Sequence, residues 1–233
     1  MTKGIIFDCD GTLVDSEEFH YLAWQDAFRS RGYLLTKECY VSHFSGRGDV
    51  GVIKEANDVL GWSCSVALIQ EKNRFFDRYQ ADGIMPITQT VAFVRRLFEC
   101  KEQYGLKLAV ASGARKSEIL HYLKELQIGH YFEVVLSGCE DVSEYQDLDG
   151  TNKPKPYVYL KAAKMLGLKP EDCIAIEDSG IGVQAAVAAG CFTVAVPTPY
   201  THTHDFSLAN MQIPSFDGLS VEAFLAKVET LRL

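Results

Sequence analysis

The 233 residues contain no apolar run long enough to span a bilayer, so a membrane-embedded protein is not expected. Lys3 is followed by only three apolar residues before Asp8, too few for the core of a secretory signal. Basic residues are the minority: 23 Lys and Arg stand against 31 Asp and Glu, a net charge of −8. That balance argues against a nucleic-acid surface, which needs clustered positive charge. The seven cysteines are odd in number and none sits in a Cys-x-x-Cys pair, so neither a disulfide framework nor a zinc site is indicated. They read as reduced, mostly buried thiols of a cytoplasmic protein. There is no Gly-x-x-x-x-Gly-Lys loop, so the chain is not a conventional nucleotide kinase. Internal repeats and low-complexity tracts are missing too.

What is present is an ordinary globular composition, 47% hydrophobic and 23% charged. It suffices for one large domain or two modest ones. The chain opens with Gly4-Ile5-Ile6-Phe7, a short buried strand that runs directly into Asp8 and Asp10. From there to Gly83 no convincing strand occurs. Helices are expected over 17–31, 49–60 and 65–79. In the first, Phe19, Trp24, Ala27 and Phe28 do not form one narrow stripe, so cover on two sides is expected. After the breaker cluster Asp82-Gly83-Ile84-Met85-Pro86, helices (88–104, 116–126, 157–166, 181–189, 221–231) alternate with apolar runs (106–111, 132–136, 173–176, 192–196) and a short edge strand at 210–213. This alternation predicts an α/β fold: a Rossmann-like parallel sheet with helices on both faces. The stretch 16–83 is then an inserted all-helical cap, and 1–15 with 84–233 form the core.

Two acids spaced i, i+2 at the end of a buried strand point to the same side of the chain, where open α/β sheets bind ligands. Cys9 between them turns the other way. One carboxylate can act as a nucleophile and the other as a general acid and base. The spacing alone does not decide which does which. A cation is expected beside them, because two anions facing a phosphate repel.

Three further strand ends carry polar groups. Val110-Ala111-Ser112-Gly113 places a hydroxyl and backbone N–H groups before a helix, an arrangement able to hold phosphate and equally common as a plain turn. Asn152-Lys153-Pro154-Lys155-Pro156 holds a lysine against a rigid segment. Ile174-Ala175-Ile176-Glu177-Asp178-Ser179-Gly180 again runs a strand into two acids; these are hard oxygen ligands suited to Mg²⁺, or simple caps of the next helix.

Asp8-x-Asp10-Gly11-Thr12-Leu13, Ser112, Lys153 and Glu177-Asp178, in this order, resemble the four motifs of the haloacid dehalogenase superfamily of phosphohydrolases and phosphomutases. The helical insert and Asp15-Ser16-Glu17-Glu18-Phe19-His20 are similar to its β-phosphoglucomutase-like group. The resemblance implies Asp8 as nucleophile and Asp10 as general acid/base. It implies Ser112 and Gly113 on the phosphate, and Lys153 rather than Lys155 as the motif lysine. It further implies Mg²⁺ as cofactor, held by Asp8, Asp178 and Glu177 with the backbone carbonyl of Asp10. Gly46 matches a glycine at the cap loop that faces the core. Mutases place an arginine shortly after that glycine; here Asp49 falls at that spacing and Arg47 lies nearer.

His20, Arg47 and Lys72 are the candidates for cap-side substrate contacts. Asp147-Leu148-Asp149-Gly150-Thr151 repeats the acidic string but lacks a preceding apolar run, and reads as a surface loop. His202-Thr203-His204-Asp205 has metal-binding residue types with no fourth ligand in sight. Three readings compete: a Mg²⁺-dependent phosphatase of a small phosphorylated metabolite, a sugar phosphomutase, and a non-catalytic binding relative. Halide displacement is disfavoured, since a departing halide needs no proton and leaves Asp10 without a task. The expected partners are a small metabolite and no nucleic acid or membrane, with the chain a monomer or weak dimer.

Overall fold

In a computed structural model of the chain, residues 2–147 and 150–232 are described. Asp149, from the repeated acidic string, lies outside them. The described residues hold six strands: β1 (Gly4–Phe7), β2 (Lys107–Ser112), β3 (Val134–Ser137), β4 (Cys173–Glu177), β5 (Phe192–Ala195) and β6 (Met211–Gln212). Nine helices accompany them: α1 (Glu17–Arg29), α2 (Lys37–His43), α3 (Asp49–Asp58), α4 (Leu68–Tyr79), α5 (Thr88–Tyr104), α6 (Lys116–Glu125), α7 (Tyr157–Met165), α8 (Gly180–Ala189) and α9 (Val221–Leu231). None of these helices is long and apolar enough to cross a membrane.

The six strands form one parallel sheet in the order β3-β2-β1-β4-β5-β6. The fold is the expected Rossmann-like α/β arrangement. Chain order runs outward in one direction from β1 and in the other from β4, so the switch point falls between these two strands. Phe7 is in register with Val110 on one side and Ile176 on the other, which brings the residues following all three strands to one edge.

Alternation along β1 feeds two cores. Ile5 and Phe7 pack with Leu108, Val110, Ile174 and Ile176 under α5, α6 and α9, through residues such as Phe93, Leu97, Ile119 and Phe224. Ile6 faces the other way, with Ala109, Ala111 and Ala175 under Val158, Ala162, Ala185 and Ala186 of α7 and α8. The small residues on this second face let both helices lie close to the sheet. Burying one side chain of the size of Phe7 stabilises the fold by roughly 1.5–3 kcal/mol.

Helices α1–α4 build a separate core from Trp24, Phe28, Tyr40, Phe44, Val52, Ile53 and Leu68. Helix α1 shows one buried stripe, Ala23, Trp24, Ala27 and Phe28, packed chiefly on α4, while Phe19 is only half-buried. Glu17, Tyr21 and Gln25 meet Tyr40 and Leu35, and no residue of α1 before Arg29 is exposed, so the helix has further cover beyond α4. Helix α2 was not expected from the sequence. It is seven residues long; the Thr36 hydroxyl caps it by accepting from Cys39 N at 3.2 Å, and Tyr40 fastens it to the core. The two chain segments that join cap and sheet run side by side: Asp15 N–H donates to Met85 O at 2.7 Å and Ile87 N–H to Leu13 O at 3.0 Å.

Candidate active site

Asp8 follows β1, and its N–H still donates to Ile176 O at 2.9 Å, so the strand geometry fixes where its side chain starts. The carboxylate is buried and accepts from Lys153 Nζ at 2.5 Å. The same ammonium donates to Glu177 Oε1 at 2.6 Å and lies 5.0 Å above the Tyr159 ring. Tyr159 OH also donates to Glu177 Oε1, at 2.6 Å, and Ser179 Oγ donates to Oε2 at 3.2 Å. Glu177 is therefore a hub that aims Lys153 at Asp8. Tyr159, on α7, belongs to no motif and was missed in the sequence; nothing in a helical tyrosine announces such a role.

Asp8, Glu177 and Asp178 each offer a carboxylate oxygen, and these oxygens lie within 4.8 Å of one another. Burial, together with the neighbouring acids Glu177 and Asp10, pushes the Asp8 carboxyl up, with Lys153 opposing. Burial and the charges of Glu177 and Asp8 push Asp178 up as well. A divalent cation bound here would oppose both shifts, and hard, crowded, buried oxygens are the donor set that Mg²⁺ prefers. These residues fit the metal. Glu177 fits least well, because both its oxygens already accept from Lys153, Tyr159 and Ser179.

The loop after β1 is tight enough to require Gly11. Its φ is +73°, and a Cβ there would sit 2.3 Å from Asp178 Oδ2. This close approach brings the loop after β1 and the loop after β4 together.

Asp10 lies on the cap side of this cluster. Ser16 Oγ donates to its Oδ1 at 2.5 Å, Ser112 Oγ to its Oδ2 at 3.2 Å, and His20 Nε2 lies 3.8 Å from Oδ1. Burial pushes its carboxyl up, but the contacts with His20, Ser16 and Ser112 outweigh burial and hold it below the ordinary range. A general acid at this position calls for raised proton affinity, which the chain's own groups do not supply. Ser112 in turn accepts from Ala114 N at 3.1 Å, and Gly113 O accepts from Asn152 Nδ2 at 3.3 Å. Asn152 Oδ1 takes the N–H of Lys153 at 2.9 Å, which ties the lysine loop to the serine loop.

The three cap candidates lie in different settings. His20 stacks on Phe76, ring centroids 4.1 Å apart, beside Asp10. Lys72 is fully buried rather than a surface residue and pairs with Asp49 at 2.8 Å. Arg47 pairs with Glu55 at 3.1 Å and donates to His43 O at 2.6 Å. Glu17, buried beneath the cap loop, accepts from Tyr40 OH at 2.7 Å and from Gly46 N at 3.4 Å. Gly46 itself nearly touches the core: a Cβ there would lie 2.8 Å from Ser179 Cβ.

The two decoys fall elsewhere. Asp147 pairs with Lys155 at 2.9 Å and accepts from Tyr157 OH at 2.8 Å. His202 lies by Pro199 O, while His204 bonds Ser45 and Gly180; among the described residues neither joins a metal-type cluster.

Residues 2–190 match the haloacid dehalogenase-like hydrolase family. The chain belongs to that family. It is 31% identical over 230 residues to protein CbbY of Rhodobacter capsulatus, covering 95% of this chain and 96% of that one. It is 26% identical over 200 residues to the fructose-1-phosphate phosphatase YqaB of Escherichia coli, covering 83% and 95%. Among solved structures, a β-phosphoglucomutase from Clostridium difficile superposes with a TM-score of 0.75 at 23% identity, covering 99% and 98%. That likeness concerns the fold, cap included.

Proposed function

We propose that the protein is a Mg²⁺-dependent, cytoplasmic phosphatase of a small phosphorylated metabolite. Residues 16–83 act as the cap, and 1–15 with 84–233 as the catalytic core. The observation that carries this reading is the meeting of Asp8, Glu177 and Asp178 oxygens within 4.8 Å, with the Lys153 ammonium on Asp8. The name of the 26%-identical fructose-1-phosphate phosphatase points the same way.

An Asp8 carboxylate oxygen attacks phosphorus in line, and the bond to the leaving oxygen breaks. Lys153 and Ser112, with backbone N–H of the Gly113 turn, hold the phosphoryl oxygens. Asp10 delivers its proton to the leaving oxygen; the dianionic substrate beside it raises its low proton affinity toward that task. Asp10 then takes a proton from water as the water oxygen attacks phosphorus. The aspartyl-phosphate bond breaks, and inorganic phosphate leaves with Asp8 restored. Mg²⁺, held by Asp8, Asp178 and the Asp10 carbonyl, would neutralise charge on the transferring group.

Phosphomutase activity is the second reading, favoured by solved neighbours named β-phosphoglucomutase or putative β-phosphoglucomutase. The presence of Asp49 in place of a cap arginine weighs against it. Phosphate release from p-nitrophenyl phosphate with and without Mg²⁺, for the wild type and Asp8→Asn, tests the hydrolase reading. Isomerisation of a sugar phosphate without net phosphate release overturns it.

A further inference from the structure

Among the cap groups that approach the reacting acids, Asp49 is placed to set substrate charge. A continuous stack leads to it from the reaction centre. His20 lies 3.8 Å from Asp10, its ring stacks on Phe76, and the Lys72 ammonium sits 4.7 Å from the Phe76 centroid and 5.7 Å from that of Trp24. Lys72 then meets Asp49 at 2.8 Å. The two partners are not equally accessible: the lysine side chain is 2% exposed and the aspartate 28%. The cation is sealed beneath aromatic faces, and the carboxylate is the member a ligand can reach.

Among the described residues of the cap loop, the remaining cation is also engaged. Arg47 is held by Glu55 and the His43 carbonyl, and buried Glu17 adds a further acid beneath the loop. A second phosphate on the far end of a substrate would meet the Asp49 carboxylate, whose counter-ion Lys72 is already committed to it.

We propose that Asp49 makes this site select phosphomonoesters whose far end bears hydroxyls and no second anionic group, and reject the corresponding bisphosphates. This deepens the phosphatase reading and rests on it. Taking Lys72 from Asp49 to hold a second phosphate would strand the carboxylate, so the pair acts as a charge filter.

The test uses the full chain carrying Asp8→Asn, so that binding is read whether or not the wild type turns the ligand over. Calorimetry with Mg²⁺ gives Kd for fructose 1-phosphate against fructose 1,6-bisphosphate, and for glucose 6-phosphate against glucose 1,6-bisphosphate. The proposal expects at least one monophosphate to bind about tenfold or more tighter than its bisphosphate, with the ratio shrinking as ionic strength rises. Adding Asp49→Asn should bring the ratio toward one by tightening the bisphosphate. Adding Lys72→Gln, which leaves Asp49 without its partner, should widen it. A purely structural pair would move both variants the same way. Equal or tighter bisphosphate binding in both pairs, a salt-independent ratio, variants that shift together, or no monophosphate binding at millimolar concentration overturns the proposal. Loss of Mg²⁺-dependent p-nitrophenyl phosphate hydrolysis in the wild type speaks to the phosphatase reading separately.

Discussion

The Ser45 hydroxyl and His204 Nε2 lie 2.9 Å apart, joining the cap to the loop that follows β5. Their proton arrangement is dictated by neighbours. Gly180 N–H donates to His204 Nδ1 at 3.2 Å, so Nδ1 is bare and the neutral ring carries its proton on Nε2. Ser45 accepts that proton and passes its own to Val41 O at 2.9 Å. Burial, with the charges of Arg47 and His202, holds His204 below the ordinary histidine value of 6.5.

The sign of the pH effect follows. The joined state binds the proton more weakly than the open or unfolded state, so its advantage is present above pH 6.5 and is lost as pH falls below it. Protection factors of α2 amides, taken relative to the intrinsic chemical rate at each pH, should fall as pH is lowered from 7.5 to 5.5. In His204→Phe this fall should vanish.

Lys153 stands between two buried carboxylates, Asp8 and Glu177. Lys153→Met leaves them uncompensated and should cost about 3–5 kcal/mol of stability without metal. Urea unfolding measures the loss. Mg²⁺ should restore part of it, since the cation replaces the missing charge.

Saturating Mg²⁺ should raise the wild-type Tm. At a concentration of about 100 Kd the gain is roughly 2.7 kcal/mol, or about 5–10 °C for a chain of this size. Asp178→Asn should abolish the shift. Gly11→Ala should do the same, because its Cβ would press on Asp178 Oδ2.

Tyr159→Phe removes one donor from buried Glu177 while leaving Lys153 in place. A cost of about 1–3 kcal/mol is expected by denaturant titration. Phosphatase kcat should fall more than KM changes, since the lysine loses its fixed direction.

Much of this was legible before any coordinates. Strands β1 and β4 announced themselves because both their faces are buried, leaving uninterrupted apolar runs that end in acids. Helices α5 and α9 matched their expected bounds because apolar spacing agreed with a stop at Gly105 for the first and a Ser220 cap for the second. Helix α2 was hidden, since seven residues of mixed polarity depend on a Thr36 cap and one buried tyrosine. The depth of Lys72 was hidden as well, because a lysine reads as surface until its acid partner and aromatic roof are seen. The low proton affinity of Asp10 arises from Ser16, His20 and Ser112, brought together only by the fold. Asp147 of the second acidic string follows a polar stretch and meets Lys155 instead of the sheet edge.

The most direct test of the central claim uses Asp10→Asn with Mg²⁺ and p-nitrophenyl phosphate. The nitrophenolate leaving group needs no proton, so the first displacement proceeds while water attack is slowed. Rapid quench and peptide mass spectrometry should find one phosphoryl group on Asp8, and Asp8→Asn should lose about 10³-fold or more in turnover. A phosphoryl group on another residue, or near-wild-type turnover in Asp8→Asn, would contradict the account.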